Sequence, residues 1–357
     1  MADRALLVLG PSAGGIRRHV AVLRDGLRDL GWQVVVAGPA GVLDGLGGVE
    51  HEVPIGTSPV AVARSARTLR TLARDADVVH AHGLKAGLCA AASGARPRLM
   101  TVHNVVLDDA AGRSAPLLRR IERLLPGRMD RTIAVSADIA RTFAGAPGEE
   151  RITVIAPAGP MPTPRRDAVT VRRDLGIGDA PLVTVVARMH PQKDLPTLLA
   201  AARRVLDARP EVRFVVVGGG PLEDEVRAEH ARLGLGDGVQ LLGARPSAAD
   251  ELAAADVVAL SSIWEGSPLV VAEALLLARP VAVTAVGAVP EVVQDGVTGR
   301  LVPPREPAAL ADAILDLLAD PATARRLAEA GHAVAAERFA PEVLIRAVER
   351  TYREVMR

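Results

Sequence analysis

Two acidic residues, Glu265 and Glu273, lie eight positions apart in a markedly apolar stretch of the chain, SSIWEGSPLVVAEALLLARPVAV at residues 261–283. The Gly-Ser-Pro after Glu265 predicts a turn and then a helix, with Ser267 as the N-cap and Pro268 in the first turn. Glu265 would then lie in a strand-to-helix loop and Glu273 inside the helix. A buried carboxylate needs hydrogen-bond donors, and the hydroxyl groups of a sugar and a ribose are such donors. Pairing of both acids with nearby arginines is the alternative.

A second stretch, VVARMHPQKDLPTLL, carries Arg188 and Lys193 directly after a predicted strand. Arginine can hold phosphate oxygens through two parallel hydrogen bonds, and lysine adds a mobile point charge. Two cations at the carboxyl end of a strand are suited to stabilising the charge that develops on a departing diphosphate. A solvated surface loop is the alternative.

Two glycine-rich loops each follow a predicted strand and precede a predicted helix. Gly14 and Gly15 in LGPSAGGIRRHV would let backbone amides approach an anion at a helix N-terminus, although a tight turn explains them equally well. The second loop, VVVGGGPLEDEV, begins its helix with acidic residues, which disfavours a phosphate there. We therefore predict that Gly218 and Gly220 approach a nucleoside. Neither loop has the G-x-G-x-x-G spacing of a dinucleotide site.

Histidines end two neighbouring predicted strands. His80 and His82 in DVVHAHG face the same side of one strand, and His103 and Asn104 in MTVHN end the next. A His-x-His pair can ligate a metal, but no cysteine or carboxylate accompanies it at a familiar spacing, so we predict no metal site. His80 is equally well explained as a hydrogen-bonded core histidine. His103, at the very end of its strand, is the better functional candidate.

The elements that must position these residues alternate between short β-rich runs and longer amphipathic stretches, which is typical of parallel α/β sheets. Strands are predicted at 4–10, 33–37, 77–82, 98–103, 131–136 and 151–156 in the first half, and at 181–187, 212–218, 238–243, 256–262, 280–284 and 299–302 in the second. Prolines between Pro157 and Pro164 predict a linker. Ligands of such sheets bind outside the carboxyl ends of the strands.

The composition excludes several classes of protein. The 357 residues, 49% of them hydrophobic, are enough for about two domains, and the net charge of +1 disfavours nucleic-acid binding. Cys89 is the only cysteine, which excludes an intrachain disulfide and indicates a reducing compartment. The apolar run at the start is too short for a signal peptide, and no other run suggests a membrane span, so we predict a cytoplasmic protein.

Taken together, GG at 14–15, TVHN, VVARMHPQKDLPTLL, GGGPLEDEV and EGSPLVVAEALLLARPVAVTAVGAVPEVVQDGVTGRLVPP resemble the retaining family-4 glycosyltransferases. The resemblance is strongest from 182 to 304. It implies an α/β protein of the GT-B fold, in which two facing Rossmann-like domains with parallel sheets form an interdomain cleft. The domains would be 1–160, binding the acceptor, 161–337, binding the nucleotide-sugar, and a C-terminal helix, 338–357, crossing back to the first domain.

The resemblance also implies a role for each candidate residue. Arg188 and Lys193 would bind the diphosphate, and Glu265 would contact the donor sugar. Glu273 would contact the ribose, and His103 would lie near the reacting sugar. In full, the resemblance implies catalytic His103, Glu265, Arg188 and Lys193; donor-binding Gly14, Gly15, Gly218, Gly220, Ser267, Pro268, Leu269 and Glu273; and acceptor-binding His19, His82 and Asn104.

The activity implied is metal-independent transfer of a hexose-type sugar, with retention, from a nucleotide-diphosphate sugar to a hydroxyl acceptor, which could be a glycan, a lipid-linked compound or a small molecule. No cofactor is implied. A sugar-nucleotide epimerase on the same fold is the alternative, and a nicotinamide dehydrogenase is disfavoured by both glycine loops. Ala285, Ala288 and Gly219 depart from residues common in the family, and these departures bear on donor selectivity.

One further stretch, RSAPLLRRIERLLPGRMDR at residues 113–131, sets leucines and Ile121 beside Arg119, Arg120 and Arg123. A basic amphipathic helix of this kind can lie on anionic lipid, which would place the protein on the inner face of the membrane. A surface helix that packs its apolar stripe inward is the alternative.

Overall fold

The computed structural model describes residues 2–11, 15–44, 46–47, 49–106, 115–158 and 161–357. The chain forms two compact units. Unit 1 consists of Met1–Pro160 and Phe339–Arg357, and unit 2 of Met161–Arg338. Each unit is described by itself below.

Unit 1 contains a parallel sheet of seven strands. These are β1 (Arg4–Leu9), β2 (Gln33–Gly38), β3 (Val49–Glu52), β4 (Val78–His82), β5 (Arg98–Val102), β6 (Arg131–Ala134) and β7 (Ile152–Val154). Their order is β3-β2-β1-β4-β5-β6-β7, so the chain changes direction across the sheet between β1 and β4. Strand β1 is almost entirely apolar because both of its faces are covered. The accompanying helices are Gly15–Asp29, Ala40–Leu43, Pro59–Leu72, Leu84–Ser93, Ala115–Leu124 and Ala137–Arg141.

A last helix, Pro341–Val355, also belongs to unit 1 and packs on the helix Gly15–Asp29. The two helices meet closely at Gly26, where an added Cβ would lie 1.9 Å from Cδ1 of Ile345. Tyr352 of the last helix is fully buried and meets Trp32 edge to face, with ring centroids 5.4 Å apart. The last helix therefore completes the core of unit 1.

Unit 2 contains a parallel sheet of six strands. These are β8 (Leu182–Val186), β9 (Arg213–Val217), β10 (Val239–Gly243), β11 (Val257–Leu260), β12 (Val281–Thr284) and β13 (Arg300–Val302). Their order is β10-β9-β8-β11-β12-β13, so the change of direction falls between β8 and β11. The helices are Ala168–Asp174, Leu195–Ala208, Glu223–Arg232, Ala249–Ala254, Leu269–Leu276, Pro307–Ala319 and Pro321–Arg338.

All predicted strands are present, and β3 is the strand that the sequence pattern did not predict. The predicted cap of the helix Leu269–Leu276 is wrong. Pro268 occupies the N-cap position, and the buried Oγ of Ser267 has no hydrogen-bond partner among the described residues. The reason is a tight turn, in which the N–H of Leu269 donates to the carbonyl of Ser267 at 2.9 Å, so the helix begins one residue later than expected.

Across the described ranges, every helix is too short or too polar to cross a bilayer.

Candidate functional site

The predicted charged residues of unit 2 lie where its chain changes direction across the sheet. Arg188 and Lys193 follow β8, and Glu265 follows β11, the strand beside it. In open parallel sheets this point leaves a crevice outside the carboxyl ends of the strands, and ligands bind there. The topology therefore brings residues that are far apart in sequence to one edge of one sheet.

Lys193 and Glu265 are in direct contact. Nζ of Lys193 lies 2.5 Å from Oε1 of Glu265, and Oγ of Ser262 donates to the same oxygen at 2.6 Å. Glu265 is only 6% exposed, so its carboxylate depends on these donors. An arginine was the partner considered from the sequence for Glu265, and the structure instead provides a lysine and a serine. Ser262 was not predicted, although the Ser-Ser pair after the β11 run was a signal for it.

Hydrogen bonds to main-chain carbonyls join the two loops that carry this ion pair. The side-chain amide of Gln192 donates to the carbonyl of Trp264 at 2.8 Å, and the N–H of Ile263 donates to the carbonyl of Gln192 at 2.9 Å. The hydroxyl of Ser261 donates to the carbonyl of Lys193 at 2.9 Å. The positions of Lys193 and Glu265 are therefore fixed by main chain as well as by their own charges.

A third loop, after β12, supports the backbone of Glu265. Gly287 has a φ of +53°, and an added Cβ would lie 2.1 Å from the carbonyl oxygen of Glu265. The N–H of Ala288 donates to that same carbonyl at 2.8 Å. Only glycine fits at position 287, because both the positive φ and the close approach exclude a side chain.

The end of β8 is a region of positive charge. Arg188 is exposed, and it has neither an ion pair nor a side-chain hydrogen bond within the described part of the chain. Burial, together with the cations of Arg188 and Lys193, lowers the pKa of His190, which lies between them in the sequence. An anion bound here would therefore meet two cations beside a neutral imidazole.

Gly218 and Gly220, predicted to approach a nucleoside, have a clear role within the protein. An added Cβ would lie 1.9 Å from the carbonyl oxygen of Ala187 at the first position and 2.5 Å from that of Met189 at the second. The two glycines thus let the loop after β9 pack against the backbone that carries Arg188. Contact with a nucleoside remains a prediction.

The other donor-binding candidates, Glu273, Gly14 and Gly15, belong to different parts of the chain. Glu273 is half-buried, just over one turn into the helix that Leu269 begins, and it interacts with other residues of the protein. Gly15 is the first residue of its helix in unit 1. Gly14 lies outside the described residues.

Three histidines converge in unit 1, again where the chain changes direction across the sheet. His19 lies in the helix after β1, His82 ends β4, and His103 follows β5. The ring centroid of His19 is 4.9 Å from that of His103 and 5.5 Å from that of His82. Nδ1 of His82 lies 3.2 Å from Nε2 of His103. All three are buried, whereas Asn104 beside them in the chain is exposed.

The three imidazoles are neutral because they are buried. Burial lowers the pKa of His19 to about 4. Burial, reinforced by the neighbouring histidines, lowers the pKa values of His82 and His103 well below their usual range. Each neutral ring has one N–H and one lone pair, and the hydrogen bond between His82 and His103 uses the N–H of one ring and the lone pair of the other.

His80 belongs to the core instead. Its Nδ1 lies 2.7 Å from the Tyr352 hydroxyl, and its Nε2 lies 2.7 Å from the Thr101 hydroxyl. Both ring nitrogens are hydrogen-bonded within unit 1, so His80 is a core histidine and not a candidate metal ligand.

The basic helix Ala115–Leu124 buries an acid and exposes two leucines. Leu117 is 62% exposed and Leu124 is 47% exposed, whereas Glu122 is 9% exposed and faces a cavity of about 390 Å³. The N–H of Val106 donates to Glu122 at 3.1 Å. The apolar stripe of this helix is thus only partly packed inward. Residues 113–114 of the predicted amphipathic stretch lie outside the described residues.

Known proteins resemble the chain over both units. The profile described as "Glycosyltransferase Family 4" matches residues 13–159, and that described as "Glycosyl transferases group 1" matches residues 180–320. A D-inositol 3-phosphate glycosyltransferase of Nocardia farcinica is 31% identical over 315 residues, which are 82% of this chain and 69% of that protein. The corresponding protein of Kribbella flavida is 32% identical over 280 residues, which are 71% of this chain and 66% of that protein.

A solved structure shares the architecture. The Anabaena protein Alr3699/HepE, determined in complex with UDP and glucose, has a TM-score of 0.86 and 24% identity, and the match covers 98% of this chain and 99% of that one. With its two parallel α/β units, the protein has the predicted GT-B fold. The matched regions and the curated relatives together establish that the chain belongs to glycosyltransferase family 4.

Proposed function

We propose that the protein transfers a hexose-type sugar from a nucleotide-diphosphate sugar to a hydroxyl acceptor, with retention of configuration and without a metal ion. The observation that carries this proposal is the group formed by Arg188, Lys193 and Glu265 at the change of direction in the unit 2 sheet. It combines an exposed cation, a second cation held in place, and a buried carboxylate. These are the charges that a sugar diphosphate requires.

In the proposed reaction, the bond between C1 of the sugar and the diphosphate oxygen breaks. The diphosphate leaves with the electron pair, and Arg188 and Lys193 stabilise its growing negative charge. The acceptor oxygen then bonds to C1 on the face from which the diphosphate departs, and its proton passes to the departing phosphate. Glu265 orients the sugar through its hydroxyl groups, and Glu273 holds the ribose. His103 contacts the reacting sugar, while His19, His82 and Asn104 contact the acceptor.

The donor panel that tests this proposal consists of UDP-, GDP- and ADP-sugars assayed with EDTA present. UDP-glucose comes first, because the Anabaena neighbour binds UDP and glucose. Inositol phosphate comes first among acceptors, because the curated relatives are named for it. We expect one donor class to be bound or slowly hydrolysed without metal. A requirement for added metal would contradict the proposal.

Three variants distinguish the proposed role of Arg188 in the transition state from that of Glu273 in donor binding. Arg188→Ala should lower kcat by roughly 100-fold or more, which is the effect of losing one transition-state donor. Glu273→Ala should mainly raise the KM for the donor, because a ribose contact contributes binding in the ground state and the transition state alike. Arg204→Ala, an exposed arginine on a helix of the same unit, is the control and should leave both constants unchanged. Full activity in Arg188→Ala would defeat the proposal.

Product analysis distinguishes transfer from epimerisation. An epimerase would convert the donor alone and keep the sugar attached to the nucleotide. A transferase releases the nucleoside diphosphate and joins the sugar to the acceptor. Release of nucleoside diphosphate that increases with acceptor concentration is therefore the expected result.

We also propose that the helix Ala115–Leu124 contacts anionic lipid. The exposed leucines support this, since they stand beside exposed arginines, and an apolar stripe flanked by positive charge is the arrangement that interfacial helices use. Vesicles of zwitterionic lipid with and without an anionic component provide the test. We expect the protein to sediment only with the anionic vesicles.

Charge-matched variants decide whether this helix is responsible. The triple variant of Arg119, Arg120 and Arg123 to alanine should lose sedimentation. A control with Arg64, Arg67 and Arg74 changed to alanine removes the same charge from exposed positions elsewhere in unit 1 and should retain it. If both triple variants sediment equally with anionic vesicles, or if the wild type does not sediment with them, the proposed lipid contact is wrong.

A further inference from the structure

We propose that His190 is a third protein ligand of the donor diphosphate and donates a hydrogen bond from its Nε2–H to one of the diphosphate oxygens. The proposal rests on the transfer reaction proposed above, because it takes the diphosphate to bind beside Arg188 and Lys193. His190 would add a neutral hydrogen-bond donor to those two cations.

His190 lies at the ligand-binding edge of the unit 2 sheet. It follows β8, one of the two strands between which the order of the sheet reverses, and it lies between Arg188 and Lys193 in the loop. It occupies the N-cap position of the short 3-10 helix Pro191–Lys193. The N–H of Lys193 donates to the carbonyl of His190 at 2.9 Å. The backbone of His190 is therefore fixed to the same turn that carries Lys193.

The hydrogen bond at Nδ1 determines which ring nitrogen of His190 carries the proton. The backbone N–H of Gln192 donates to this Nδ1 at 3.3 Å, so Nδ1 must present its lone pair. A neutral imidazole has one lone pair and one N–H, and the N–H is therefore Nε2–H. The same contact restricts rotation of the ring, because Nδ1 has to stay turned toward the Gln192 amide.

The Nε2–H of His190 is available to a ligand. No group in the described ranges accepts a hydrogen bond from it, and the side chain is only half-buried, so Nε2 is open to solvent. The other two histidines of unit 2 differ, since His230 and His332 each have a ring nitrogen hydrogen-bonded to a main-chain carbonyl. An oriented N–H without a protein acceptor, at the edge where ligands of such sheets bind, is a donor for a bound anion.

The neutral charge of the His190 ring suits this role. Burial lowers the pKa of His190, and the cations of Arg188 and Lys193 lower it further, so the ring is neutral at pH 7. A protonated ring would add a third cation to the loop and would lose the hydrogen bond from Gln192. A neutral N–H adds no such repulsion. Its hydrogen bond to a charged phosphate oxygen is still about twice as strong as one between neutral groups.

Titration calorimetry with inorganic diphosphate tests this contact without a sugar or a base. His190→Phe keeps a ring but has no N–H, and it should weaken diphosphate binding by roughly 10- to 100-fold, the effect of losing one hydrogen bond to a charged group. His190→Gln should restore most of the affinity, because its side-chain amide can donate in place of Nε2–H. His332→Phe, at an exposed histidine of the same unit, is the control and should bind as the wild type does. Equal affinities of the wild type and His190→Phe would overturn the proposal.

NMR of the wild type with ¹⁵N-labelled histidine provides a second test, which remains decisive if His190→Phe fails to fold. The His190 signals are identified by their absence from the spectrum of His190→Gln. We expect the proton on Nε2, and we expect the Nε2–H signal to shift when inorganic diphosphate is added. A proton on Nδ1, or an Nε2–H signal that saturating diphosphate leaves unchanged, would overturn the proposal.

Arg188→Ala distinguishes failure of this contact from failure of the transfer reaction. If Arg188→Ala weakens diphosphate binding and His190→Phe does not, only the contact with His190 is wrong. If diphosphate binding depends on His190 but no donor of the panel is bound or hydrolysed, only the transfer reaction is wrong. Absence of saturable diphosphate binding by the wild type would overturn both.

Discussion

Lys193 and Glu265 form a largely buried ion pair 72 residues apart in sequence, with Nζ and Oε1 separated by 2.5 Å. They follow β8 and β11, the strands between which the order of the unit 2 sheet reverses. Each charge therefore depends on the other before any ligand is bound. This dependence can be measured separately from catalysis.

Lys193→Met should destabilise the protein by about 3 kcal/mol, because it leaves the buried Glu265 carboxylate without its cation. The double variant Lys193→Met/Glu265→Gln should recover part of that loss, since no charge then remains unpaired. Urea unfolding of both single variants and the double variant gives the coupling free energy. Strict additivity of the two single effects would show that the pair does not contribute to stability.

Gly287→Ala should lower both stability and activity, because its Cβ would meet the Glu265 carbonyl oxygen at 2.1 Å. Gly296→Ala is the matched control, since Gly296 also has a positive φ, +70°, but no atom within 4 Å of an added Cβ. Backbone strain alone should destabilise each by about 1–2 kcal/mol. Only Gly287→Ala should lower the free energy of unfolding by more than this amount, and only this variant should also lower activity. Equal effects of the two variants on Tm and kcat would contradict the close approach.

Tyr352→Phe should destabilise unit 1 by about 1–3 kcal/mol, because Nδ1 of His80 loses its partner in a fully buried site. Thr351→Val is the control. Among the described residues, the hydroxyl that it removes donates only to the carbonyl of Ala347 in the same helix, so the loss of stability should be smaller. Thermal unfolding of both variants provides the comparison, and a Tyr352→Phe protein as stable as the wild type would show that the buried hydroxyl contributes nothing.

Stability should fall as pH rises from about 5 to 7 because of Glu122. Burial raises the pKa of its carboxyl from 4.5 to about 7, although the Val106 N–H and Arg119 act in the opposite direction. Between these values the unfolded chain has released the proton and the folded chain still holds it, so folding weakens as pH rises, by up to about 3 kcal/mol. Glu122→Gln cannot ionise. The Tm of this variant should exceed that of the wild type at pH 8 and match it at pH 5. If the variant and the wild type differ in Tm by the same amount at both pH values, Glu122 is not the group responsible.

The sequence was sufficient for strands that are covered on both faces. Such strands are mostly apolar, and runs such as ALLVL in β1 and FVVV in β9 have no polar position. The unpredicted strand, β3, has the sequence VEHE and lies at the edge of its sheet, paired only with β2. An edge strand can expose charged side chains, so it lacks the apolar signal.

The sequence predicted which residue types belong to the candidate site, but not which of those residues contact one another. The sequence placed Lys193 and Glu265 after strands, yet their pairing depends on β8 and β11 being neighbours, which local patterns do not specify. The same is true of the histidines, since His19 reaches His82 and His103 only because β4 follows β1 across the sheet and β5 follows β4. The turn at Ser267 was mispredicted because its backbone geometry, rather than its capping preference, sets where the helix begins.

The position of the helix Pro341–Val355 has a consequence for how the protein is made. Ribosomes synthesise unit 2 between the two segments of unit 1, so Trp32 and His80 leave the exit tunnel long before Tyr352 exists to cover them. During that interval unit 2 can fold as an uninterrupted segment, whereas unit 1 must wait with an apolar face exposed. In nascent chains halted before residue 339, unit 2 should therefore be protease-resistant once all of its strands have left the tunnel. Unit 1 of the same chains should still bind chaperones, because the helix that carries Tyr352 has not been made.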